Sequence, residues 1–224
     1  EGDPFNEILS NKSINNIKSL NFFKKVTKKI VKGSSADTRV INIEVEEKAT
    51  GEISAGAGFG TSGGTIIFGV KENNYLGKGL SVNSNLTLNS ESLKGILSVR
   101  NPNYNNTDKS AFASIESSET DRLTKSGYKM NKTGVNLGTE FEYYDDFFLG
   151  LSTSTFFEKI ETNSTASARQ KSQEGNYFDT FLNMNIDLDK RNQKFQTEKG
   201  YRSFYNLKVP IISDTNTLTN LYTY

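Results

Sequence analysis

From Lys48 onward, apolar side chains recur at every second residue, a period that only extended strands can satisfy. Gly51, Ile53, Ala55, Ala57 and Phe59 share one face, against Glu52, Ser54, Gly56, Gly58 and Gly60 on the other. Leu80, Val82, Leu86 and Leu88 alternate with Ser81, Asn83, Asn85 and Thr87. Val135, Leu137 and Phe141 alternate with Asn136, Gly138 and Glu140, and Phe178, Leu182, Met184, Ile186 and Leu188 with Asp179, Asn183, Asn185, Asp187 and Asp189. Residues 48–224 accommodate about ten strands of roughly 9–11 residues, the length that crosses a bilayer at barrel tilt. The Thr61–Gly64 connection is tight and Glu161–Gly175 is a long polar loop.

A soluble β-sandwich alternates in the same way. Two features favour a transmembrane antiparallel β-barrel. The polar face is rich in Asn, Ser, Thr and Glu, as a wet lumen requires. Aromatics (Phe59, Tyr75, Tyr104, Tyr143, Tyr144, Phe147 and Phe148) sit near strand ends, where an interfacial girdle lies.

The first 47 residues read differently, as helix, strand, strand. Asp3-Pro4 is a helix-start signal, and Leu9, Ser13, Ile17 and Leu20 then follow at helical spacing on one face. Phe23–Val31 and Thr38–Glu47 read as strands around a Lys32–Asp37 loop. The expected core is Leu9, Ile17, Leu20, Phe23, Ile41 and Ile43. One helix on one hairpin buries little surface, so the rest of this domain is expected upstream of Glu1, together with the targeting signal.

Composition removes several function classes. Hydrophobic residues make up 34% of the 224 residues, and no window reaches the roughly 18–20 apolar residues of a membrane helix. A barrel strand needs them only at alternate positions. The net charge of +1 provides no broad field for nucleic acid. There is no cysteine and no histidine, so disulfides, thiolate metal sites and the commonest general base are all absent. Gly58-Phe59-Gly60-Thr61-Ser62-Gly63 matches the letters of a dinucleotide fingerprint, but Thr65–Val70 follows as a strand where the chemistry needs a helix N-terminus. A weakly held strand accounts better for these glycines. Asp145-Asp146 and Asp187/Asp189 fall at strand ends as solvated turn residues, and Lys24-Lys25 with Lys28-Lys29 read as a solvated face. No enzyme, cofactor or metal site is expected.

The order of local motifs carries more information than the period. Glu1-Gly2, Leu20-Asn21-Phe22-Phe23 with Val26, Val45-Glu46-Glu47, and Gly56-Ala57-Gly58-Phe59-Gly60-Thr61 with Gly64 occur in sequence. Asn73-Asn74-Tyr75-Leu76-Gly77-Lys78-Gly79, Asn101-Pro102-Asn103-Tyr104, and Asp189, Arg191, Asn192, Phe195, Thr197 and Gly200 follow. Together these resemble the BamA family of bacterial outer-membrane protein assembly factors, along essentially the whole chain. The family usually has Pro where this chain has Gln196.

The resemblance implies that residues 1–47 are the second half of the last periplasmic POTRA domain, an α+β module. It implies that residues 48–224 are the N-terminal part of a sixteen-strand outer-membrane barrel. The turns at Asn73, Asn101, Tyr144 and Asp189 would face the periplasm, and the Thr120–Lys129 and Glu161–Gly175 loops the outside. The implied function is folding and insertion of client barrels. The implied partners are nascent outer-membrane proteins, assembly-complex lipoproteins, periplasmic chaperones and the lipid bilayer. The client-pairing edge would be Glu52, Ile53, Ser54, Ala55, Gly56, Ala57, Gly58, Phe59 and Gly60. Alternatives are a translocation and assembly module subunit or a two-partner secretion channel on the same plan, a passive porin, and a soluble sandwich.

Overall fold

A computed structural model describes residues 4–35, 38–60, 63–193, 197–214 and 221–223. Glu1-Gly2, Thr61, Phe195 and Gln196 of the motif comparison, Asp3 of the helix-start signal, Ala36 and Asp37 of the first loop and Ser62 of the glycine run lie outside them. The chain divides into two compact units, Glu1–Gly51 and Glu52–Tyr224.

The first unit is a helix on a hairpin. Helix α1 (Glu7–Ser19) starts later than Pro4, because the Asn6 side chain caps it by accepting the Leu9 N–H at 3.1 Å. Strands β1 (Phe23–Lys32) and β2 (Arg39–Glu47) pair antiparallel. The helix face differs from the one expected. Ser10 and Ile14 are buried, Ile14 at 7% exposure, and Ile17 is half-buried, whereas Leu9 and Leu20 are exposed. Lys28 explains the choice: its ammonium donates to Ser10 Oγ (3.2 Å) and Asn11 Oδ1 (2.7 Å), and so ties that side of the helix to β1. Ile41 and Ile43 are likewise exposed, so the expected apolar core is largely unformed in the described residues.

The second unit is one ten-stranded sheet, the number expected. Its strands are β3 (Gly51–Gly60), β4 (Gly63–Tyr75), β5 (Leu80–Asn89), β6 (Ser92–Asn101), β7 (Lys109–Arg122), β8 (Tyr128–Tyr144), β9 (Phe147–Thr162), β10 (Gly175–Asp189), β11 (Arg202–Ser213) and β12 (Leu221–Thr223). They lie in chain order from β3 to β12, so each neighbours its predecessor, and among the described residues the two end strands do not pair with each other. The pairs with described register are antiparallel.

Register aligns the two faces. Val70, Ser84, Leu97, Ile115, Val135 and Thr155 form one row across six strands, and Val82, Val99, Ala113, Leu137, Thr153, Leu182 and Val209 form another. Asn83, Ser98, Ser114, Asn136 and Ser154 lie in a row on the opposite face. The apolar side chains stay exposed, with Leu137 at 54%. An apolar face left outward along so many strands matches the lipid-facing band of a membrane β-barrel.

One connection is shorter than expected. The Thr120–Lys129 segment is not a long loop: β7 runs to Arg122 and β8 resumes at Tyr128, around the single turn α2 (Leu123–Ser126). Gly127 closes it at φ 75°, where a Cβ would overlap the Ala166 backbone. The β9–β10 connection is long, as expected, and holds the short helix α3 (Ala168–Lys171) with a Ser167/Gln170 capping box.

Candidate functional site: the β3 edge

The nine residues Glu52–Gly60 fall on one strand, and that strand is an edge. Every β3 residue is exposed, Ile53 at 76% and Phe59 at 97%. Alternation fixes the faces. A Cβ on Gly69 of β4 would stand 2.6 Å from Ser54 Oγ and 2.8 Å from Asn85 Oδ1, so Ser54 belongs to the polar face. The Phe59 ring lies against Gly64 on the apolar face.

The glycines of β3 are not demanded by packing. A Cβ at Gly56, Gly58 or Gly60 would meet nothing within 4 Å, and none of the three has positive φ. Glycine in a strand interior gives up side-chain contacts and costs more backbone entropy on ordering. Their shared consequence is a loosely held strand. On the side away from β4, β3 has no strand neighbour among the described residues, and its outward N–H and C=O groups can pair with another strand.

The interior of the sheet uses glycine in the opposite way. A Cβ at Gly138 of β8 would stand 2.5 Å from both Phe112 Cζ and Ser152 Cβ, and 2.8 Å from the Leu151 carbonyl; one at Gly134 would overlap the Phe156 ring. Each ring therefore sits directly over a glycine of the neighbouring strand. Cations cover both rings: Arg100 over Phe112 at 5.5 Å, and Lys132 at 4.4 Å and Lys208 at 5.3 Å over Phe156. Sequence reading missed these seats; a lone glycine inside a strand pattern was the available signal.

Loop contacts tie neighbouring hairpins at both ends of the sheet. In the β5–β6 turn, Glu91 pairs with Lys125 and with Arg122 Nε (2.7 Å), and its carbonyl accepts the Asp121 N–H at 2.7 Å. The Lys125 hydrogen bond is the largest influence holding the Glu91 carboxyl below its ordinary value of 4.5; partial burial opposes it, and the charges of Lys125 and Arg122 add to it. At the other end, the Asp189 N–H donates to the Asp146 carbonyl at 3.0 Å, and Lys190 pairs with Asp146.

The remaining sequence candidates are ion-paired or in turns. Asp189 holds Arg191 through two bonds of 2.7 Å, and Asp187 holds Arg202 through bonds of 2.7 and 2.8 Å. Asp146 occupies a turn at φ 65°. Lys24 and Lys29 pair with Glu46 and Glu44. The glycines of the dinucleotide-like run lie in β3 and at the start of β4, with no helix following. Among the described residues no three His, Cys, Asp or Glu side chains group as a metal site.

An antiparallel sheet with an outward apolar face, a polar opposite face and an open first strand defines a protein of the membrane β-barrel class. Residues 74–223 match the Omp85 superfamily domain, and the chain belongs to that superfamily. Family and fold together imply an outer-membrane protein. In fold the chain is similar to the crystal structure of BamA from Haemophilus ducreyi lacking POTRA domains 1-3, with a TM-score of 0.74 and 19% identity over 92% of this chain. It is also similar to CdiB from Acinetobacter baumannii, with a TM-score of 0.52 and 11% identity over 92% of this chain. The chain spans 42% and 40% of those two structures. No curated protein matches it significantly.

Proposed function

We propose that this chain is part of an outer-membrane β-barrel assembly factor, and that Glu52–Gly60 is the edge on which a client strand pairs. The physical problem is that strand edges cannot lie in hydrocarbon with unpaired N–H and C=O groups. A nascent barrel must gain strand pairs as it enters the bilayer. An edge that offers main-chain hydrogen bonds supplies those pairs without reading client side chains, by β-augmentation.

The observation that carries this reading is the free edge of β3 with Gly56, Gly58 and Gly60 in open space. Nascent outer-membrane proteins are the clients; assembly lipoproteins, periplasmic chaperones and the bilayer are the further partners. The helix–hairpin unit is read as the second half of a periplasmic POTRA domain, which a passive porin lacks. No covalent chemistry, cofactor or metal enters the mechanism.

The second reading is a translocation channel on the same plan, as the likeness to CdiB allows. The higher TM-score to BamA favours the assembly reading. Cysteines introduced along β3 of the full-length protein should crosslink to the terminal strand of a stalled client barrel, while cysteines along β5, paired on both sides, should not. Equal crosslinking at both strands would defeat the edge assignment. Crosslinks at neither strand, with secreted substrate trapped inside the lumen, would favour the channel.

A further inference from the structure

Two side chains from strands that are not neighbours meet over one glycine. Ser54 of β3, Gly69 of β4 and Asn85 of β5 lie in one row on the polar face. The ends of such a row are two strand spacings apart, roughly 10 Å, and short side chains do not reach each other past an ordinary residue. Gly69 removes the obstacle. Ser54 Oγ and Asn85 Oδ1 lean in from either side, to 2.6 and 2.8 Å from where a Cβ would stand, and Gly69 is buried beneath them. The Asn85 amide nitrogen is already engaged, donating to Asn83 Oδ1 at 3.2 Å, so the Asn85 carbonyl oxygen is left to accept from the Ser54 hydroxyl.

We propose that Ser54 and Asn85, hydrogen-bonded over Gly69 directly or through one water, form a latch that fixes where β3 opens. The inference rests on the reading of β3 as the client-pairing edge and adds a direction to it. Beyond Ser54, the polar face of β3 carries only Gly56, Gly58 and Gly60, whose Cβ positions meet nothing. On the apolar face Ala55 and Ala57 are short, and Phe59, although its ring lies by Gly64, stays 97% exposed. The Glu52–Ala55 half is therefore held by a side-chain tie that reaches β5, and the Gly56–Gly60 half by little more than main-chain bonds. The glycine half frees first, and a client strand pairs there first. Ser54 stops the opening before it reaches the start of the strand.

Amide exchange of the full-length protein in vesicles, without client, reads the two halves separately. Among amides bonded to β4, protection should be about threefold to tenfold greater at Glu52–Ala55 than at Gly56–Gly60, the difference one net hydrogen bond makes, with both below β8. Gly69→Ala drives the two oxygens apart; both belong to side-chain ends that can swing away, so the barrel folds, as heat-modifiable gel mobility would report. It should abolish the difference by speeding exchange at Glu52–Ala55 while β8 stays unchanged. Asn85→Ala, which keeps the glycine, should do the same, and Asn85→Asp, which keeps the accepting oxygen, should retain most of the difference. Equal protection of the two halves in the unaltered protein, or a difference that survives Asn85→Ala, overturns the latch. A peptide bearing a client's terminal strand, added afterwards, should protect Gly56–Gly60 first. Protection of neither half by that peptide, with the difference between the halves intact, would instead overturn the client-pairing reading on which the latch's role depends.

Discussion

Strands β3 and β8 both carry glycines inside a run of alternating residues, and the structure uses them to opposite ends. In β8, Gly134 and Gly138 are seats under aromatic rings, and the strand is paired on both sides over 14 and 16 register positions with β7 and β9. In β3, Gly56, Gly58 and Gly60 have no neighbours to accommodate, and among the described residues the strand is paired on one side only. Glycine buys close packing in the interior and looseness at the edge. The same residue type therefore marks the part of the sheet that must hold and the part that can open.

The comparison breaks most visibly if the β8 glycines prove replaceable. Gly138→Val should destabilise the full-length barrel by about 1–3 kcal/mol or more, because its Cβ meets the Leu151 backbone as well as two side chains. Urea unfolding in vesicles would read this. Gly56→Val with Gly58→Val should leave the barrel folded yet slow client assembly, seen as unassembled outer-membrane proteins accumulating in cells. A folding defect in the β3 variant equal to that of Gly138→Val would erase the distinction.

Next in size is the contrast between the two faces of β8. Leu137→Arg on the apolar face should cost about 2–4 kcal/mol near the midplane, and Asn136→Arg on the polar face far less. Equal costs would mean that the exposed apolar rows do not meet lipid. In the helix–hairpin unit, Ile14→Ala should destabilise more than Leu20→Ala, because Ile14 is buried and Leu20 is not. Thermal unfolding of the full chain monitored at that unit would compare them.

The smallest effect is a pH dependence at the β5–β6 turn. The folded protein holds Glu91 ionised below its ordinary value of 4.5, chiefly through Lys125. The contribution is present above that value and is lost as pH falls through the lowered one. Glu91→Gln should flatten acid sensitivity there, measured as amide exchange in the turn between pH 5 and about 3. Unchanged acid sensitivity would mean the Glu91 contacts do not hold the hairpins together.

Much of this was legible in the residues, for a reason that differs by region. Strand faces follow from a strict period of two, so Asn85, Asn136, Asn183 and Asp187 lie opposite Leu86, Leu137, Leu182 and Ile186 as read. The helix face was misread because Leu9, Ser13, Ile17 and Leu20 and the true packing set of Ser10, Ile14 and Ile17 are adjacent stripes, and the long reach of Lys28 decides between them. Polarity made Thr120–Lys129 look like a loop. Its Asp121 and Lys129 are instead strand residues, and Lys129 lies 2.8 Å from Glu119, just before the segment, and 3.6 Å from Asp121. The glycine seats depend on which ring lies across the register, information that one strand alone does not contain.

The central claim is that β3 opens and accepts a client strand. Amide hydrogen exchange of the full-length protein in vesicles tests it directly, with and without a peptide bearing a client's terminal strand. The account predicts fast exchange along Glu52–Gly60, slow exchange along β8, and selective protection of β3 when the peptide is added. Exchange in β3 as slow as in β8, or a β3 unaffected by the peptide, would contradict it.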